Sequence, residues 1–186
     1  MTPVAEQWGE ALRTHLTLGE TRSPVRAAAA FSAEAGFFAV AGRGDEDGRP
    51  YFRSVTGGPD DGGPDHGGPD GGGPDHGGPD GGGPDDGGPD DVEALSTVCE
   101  ETVHPRGLRI AGVLWRRESR EAVSDAVTGS ELELALLRDG DRAMWVVRAE
   151  RDVCVFVLVD GEGGANVSEA RSLTLDFASF LAGQGY

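Results

Sequence analysis

Residues 57–91 read GGPDD GGPDH GGPDG GGPDH GGPDG GGPDD GGPDD, seven unbroken units of the form Gly-Gly-Pro-Asp-x. No unit offers an apolar side chain other than proline. Each carries at least one carboxylate and spends two or three of its five positions on glycine, so no burial can offset the entropy of ordering it. The expectation is a disordered tract. It separates 56 residues before it from 95 after it, and 151 residues suit one ordinary domain better than two. We therefore read 1–56 and 92–186 as two parts of a single domain, with 57–91 as an insertion. A flexible tract of this length spans roughly 30 to 35 Å, enough to join two points on one surface.

Charge narrows the function classes. Of the 33 acidic side chains, 10 lie in the repeat, leaving 23 against 16 basic residues, every one of which is arginine. A mildly acidic body without a clustered positive face does not suit nucleic acid or an anionic membrane surface. The absence of lysine is read as a GC-rich coding bias, a better fit than a halophilic source given 23 acids balanced by 16 arginines outside the repeat. Cys99 and Cys154 stand 55 apart with no Cys/His grouping near either, so we expect reduced thiols packed as small hydrophobes. The opening MTPVAEQWGEALRTHL lacks the pattern of a signal peptide, and no apolar run approaches the ~18 residues of a membrane span. A cytoplasmic protein is expected.

Thr2-Pro3 is a helix start, and Val4, Trp8, Leu12 and Leu16 form a stripe ending near Gly19. Ser23-Pro24 repeats the signal, predicting a second helix through Val25, Ala29 and Ser32 to Gly36. Residues 37–41 and 51–55 read as the strands of a hairpin joined by the turn chemistry of 42–48. Within that turn Arg43-Gly44-Asp45 has the letters of an adhesion motif but is read as turn composition. Asp90 or Asp91 caps a helix carrying Val92, Leu95, Cys99 and Val103. Residues 108–115 read as a strand and 118–127 as a helix, or 108–128 as one helix. Leu132, Leu134 and Leu136, then 143–147, then 153–159 form a three-strand antiparallel meander, its last strand apolar throughout and so expected to be central. Asn166 with Glu169 resembles a capping box before a helix bearing Val167, Ala170, Thr174, Phe177 and Leu181. The predicted class is α+β, an antiparallel sheet of about five strands with packed helices.

Residues 133–160, ELALLRDGDRAMWVVRAERDVCVFVLVD, followed by Ala165-Asn166 and a helix containing Arg171, resemble the last three strands and closing helix of roadblock/LC7 domains. The likeness lies mainly in residues 131–181. It implies a roadblock/profilin-like αββαβββα order, a non-catalytic homodimer, and in bacteria a small Ras-like GTPase as partner. The insertion and the stretch 105–129 depart from that pattern. GAF-type small-molecule sensors share the general layout and supply an alternative; an unrecognised enzyme is another.

The sequence carries little recognisable catalytic or ligand-binding chemistry. There is no phosphate loop, dinucleotide fingerprint, GxSxG or HExxH. Gly161-Glu162-Gly163-Gly164 precedes a helix but lacks lysine and places a carboxylate where an anion would sit, so it is read as a plain connection. His15 and His104 have no second ligand beside them in sequence. His66 and His76 recur in the Asp-rich tract, a weak Ca²⁺ or Ni²⁺ pattern whose flexible carboxylates pay the ordering cost for each ion. Arg116, Arg117 and Arg120 surround Trp115 and are read as a solvated helix face, with an acidic partner or the acidic repeat as the other reading. Trp8, Trp115 and Trp145 are expected in the core or a dimer interface. No catalytic, cofactor-binding or metal-binding residue is assigned.

Overall fold

Alanine is the strongest helix former, yet Val25–Ser32, VRAAAAFS, is a strand in the computed structural model. The model describes residues 4–44, 46, 48–52, 95, 98, 107–125, 128–148, 153–161 and 164–184. Helix α1 (Val4–His15) leads into β1 (Val25–Ser32) and β2 (Gly36–Gly42), followed by a 3₁₀ turn at Arg49–Tyr51. Then come β3 (Leu108–Ile110), β4 (Val113–Ser124), β5 (Glu131–Asp139), β6 (Arg142–Arg148), β7 (Val153–Val159) and α2 (Gly164–Gln184). The sheet runs β2-β1-β7-β6-β5-β4-β3, antiparallel at every pairing.

The class is α+β, as the sequence predicts, but the sheet has seven strands rather than about five. Three strands are added, β1, β3 and β4, of which β1 and most of β4 fall where helices are predicted, while 51–55 supplies no strand among the described residues. The 23–36 helix is instead β1, held between β2 and β7, where both faces are covered and small side chains fit. Its side chains alternate: Ala28 and Ala30 join the core on one face of the sheet, Ala27, Ala29 and Phe31 the core on the other. Tertiary packing overrides propensity here. Residues 118–124 of the helix predicted at 118–127 likewise belong to β4, which carries eight paired positions against β5. Its charged, largely exposed residues suit an outer strand. Residues 108–115, read as one strand, are instead a hairpin: the chain reverses at Ala111-Gly112, and β3 pairs antiparallel with the start of β4.

The hairpin also differs. β2 pairs with β1 and not with 51–55, of which only Tyr51 and Phe52 are described. Phe52 is buried against the sheet, its ring 5.6 Å from that of Phe37. The helix read at 92–103 lies largely outside the described residues, although Leu95 is helical and both Leu95 and Val98 are buried. Cys99, His66, His76, His104 and the whole repeat lie outside them too.

The meander is where it was expected. β7 is buried at all seven positions and lies between β1 and β6. α1 and α2 cover one face, packing Trp8, Leu12, Val167, Phe177 and Leu181 on alternate residues of the strands. The other face buries Phe31, Phe52, Met144, Phe156 and Trp115 among its core. A fully buried Phe or Leu contributes about 1.5 to 3 kcal/mol, so these two layers dominate stability. Trp145 ties sheet to helix by donating its indole N–H to the Val167 carbonyl at 2.8 Å. Trp8, Trp115 and Trp145 are all buried, and so is Cys154. No helix among the described residues is long and apolar enough to cross a membrane.

Candidate functional site

One charged residue interrupts the apolar run of β1, and the strand deals with it by bulging. Val25 pairs with Val159 and Ala27 with Leu158, so Arg26 is left over and turns outward. Its Nε donates to the Tyr51 hydroxyl at 2.7 Å, and the guanidinium lies 5.4 Å from the centroid of that ring. Glu46 stands 3.8 Å from Nε and Asp160 3.9 Å from the NH1 nitrogen. The hydrogen bond to Tyr51 raises the Arg26 pKa above its ordinary value; Glu46 and Asp160 add to the rise and burial opposes it. Arg26 therefore stays cationic throughout the physiological range.

Four segments of the chain meet here. Arg43, just past β2, ion-pairs with Asp160, just past β7, and its Nε donates to the Val25 carbonyl at 3.4 Å. Asp160 donates its backbone N–H to the Pro24 carbonyl at 2.7 Å, while its own carbonyl accepts from the Asn166 amide at 2.9 Å. Gly44 donates to the Leu18 carbonyl and accepts from Arg13 of α1, each at 2.8 Å. The loop closes by backbone contact. A Cβ on Gly42 would sit 2.3 Å from the Glu46 carbonyl oxygen, and one on Gly48 2.7 Å from the Ala41 carbonyl. Only glycine permits this approach.

Two stretches of sequence singled out separately thus come together through the Arg43 to Asp160 pair. Arg43-Gly44 is a turn, as read, with Gly44 at φ +56°; Asp45 lies outside the described residues. Gly161 and Gly164 connect β7 to α2, and Glu162 and Gly163 are not among the described residues. The capping box is not formed: α2 begins at Gly164, two residues before Asn166, whose amide is spent on Asp160.

Arginines do not exchange protons near neutrality, so the chemistry this cluster offers is recognition. Stacking on Tyr51 and the Nε bond orient the Arg26 fork, and no partner among the described residues hydrogen-bonds its two terminal nitrogens. Such a fork suits a carboxylate. Sequence reasoning missed Arg26, Tyr51 and Asp160. The usable signal was the lone charge inside Val25-Arg26-Ala27-Ala28-Ala29-Ala30-Phe31, which a buried strand can hold only at a bulge or an end.

The arginine group around Trp115 has a different setting from the helix face expected. It lies on strand β4, where Arg120 pairs with Glu133 at 2.9 Å and Glu118 with Arg138 at 2.6 Å. Trp115 is buried, its indole N–H finds no hydrogen-bond partner among the described residues, and the guanidinium of Arg142 lies 5.6 Å from its ring centroid. Farther along β4, Glu121 receives a two-pronged bond from Arg171 of α2, at 2.7 and 2.9 Å. That bond holds the Glu121 carboxyl below its ordinary pKa, burial opposing. Asp125, also unforeseen, is buried where β4 ends. It accepts from the Thr128 N–H and from the Ser179 hydroxyl of α2, both at 2.9 Å. Its signal was Asp-x-x-Thr-Gly, a side-chain-closed turn.

His15 lies at the end of α1, stacked on Phe180 with ring centroids 4.1 Å apart. Among the described residues no three His, Cys, Asp or Glu side chains gather as metal ligands. Compared with models of known protein families and with curated proteins, the sequence matches none.

Proposed function

We propose that this chain is a non-enzymatic, cytoplasmic interaction domain of roadblock-like architecture, homodimeric and acting as an adaptor for a protein partner such as a small Ras-like GTPase. The observation that carries the reading is the block β2-β1-β7-β6-β5 with α1 and α2 on one face. A helix and two strands at the start and three strands and a helix at the end agree with the two ends of the order the resemblance implies; its middle helix falls largely outside the described residues. β3 and β4 extend that block at one edge and form the departure. An oriented guanidinium on a tyrosine ring and an exposed Phe180 stacked on His15 are the residue types that anchor protein contacts.

The test is light scattering coupled to size-exclusion chromatography, followed by capture from a lysate of the source organism with identification of what is retained. A dimer that retains a nucleotide-binding GTPase supports the reading. A monomer that retains no protein overturns it, and stabilisation by a small molecule in a thermal-shift screen would then favour the sensor alternative.

A further inference from the structure

We draw no further inference here: the strongest candidate, the outer edge of β2 with its uncharged run Gly36–Gly42, could take a strand from another chain, and nothing in the structure shows what covers it.

Discussion

Glu121 and Arg171 join the outer part of the sheet to α2, and their geometry sets what removing the pair does. Both side chains are more than a third exposed, so solvent screens the attraction and the pair is worth under about 1 kcal/mol. The sign with pH follows from the direction of the shift. Glu121 is depressed in the folded state, so its contribution is present above the unfolded carboxylate pKa and is lost as pH falls through the lower folded value. Glu121→Gln should therefore unfold slightly more easily than the parent at pH 7, and the two denaturation curves should converge in acid. A gap that persists once the folded carboxyl is itself protonated would mean the glutamate acts by packing. Trp145 is a stronger case because its bond is buried. Trp145→Phe keeps most of the apolar area but removes the donor to Val167, which should cost about 1 to 3 kcal/mol in a urea titration. No loss would show that the Val167 carbonyl is already satisfied along the helix.

At the scale of elements, two strands were illegible in the sequence for opposite reasons. β1 is an alanine run whose helical preference yields to neighbours on both sides, and nothing local announces those neighbours. β4 is polar, and in the sequence Ala122 and Val123, with Ala126 beyond the strand's end, fall at a spacing that reads as a helical stripe, so period alone could not distinguish a helix from an outer strand. By contrast β5, β6, β7 and α2 were legible, because leucines and valines at period two, and then Val167, Ala170, Thr174, Phe177 and Leu181 at helical period, are dictated by burial on known faces. The charged cluster was half legible. Its turn residues stood out, but the bulge that aims Arg26 arises from strand register, which the sequence does not display. The small side chains of β1 also yield a test. Ala28 is fully buried, paired with Ala41 on one side and Val157 on the other. Ala28→Leu should overfill that site and cost about 1 to 3 kcal/mol in thermal or urea unfolding; an unchanged stability would place spare volume beneath α1. A second test concerns β4, where no residue from 116 to 124 is buried, against β7, where every residue is. Amides of β4 bonded to β5 should exchange with solvent well ahead of those in β7. Equal protection would show that β4 opens only when the whole sheet does.

For the whole molecule, the fact that matters is that one sheet draws strands from both sides of the repeat. β1 and β2 precede it, β3 to β7 follow it, and the join is the β1 to β7 ladder of seven paired positions. Phe52 before the repeat and Leu95 and Val98 after it share one apolar cluster with Phe156 of that same β7. The two flanks therefore complete each other's core. The connection from Phe52 to Leu95 holds 42 residues, and removing 57–91 leaves seven. Closing a loop costs about 0.6 kcal/mol for each doubling of length, so a cut of more than two doublings should favour the folded state by roughly 1.5 kcal/mol. Seven residues reach at most about 25 Å when extended, so the gain holds where Phe52 and Leu95 lie within that span. The deletion variant should thus fold and melt at or above the parent temperature, with the parent's oligomeric state, whatever that is, if the repeat takes no part in association. A folded variant that no longer retains a protein the parent captures would assign the acidic tract to recognition. Failure to fold, with the parent chain restored by a Gly-Ser tract of equal length, would show that the length of the connection is what the sheet requires and that its Asp-rich composition is not.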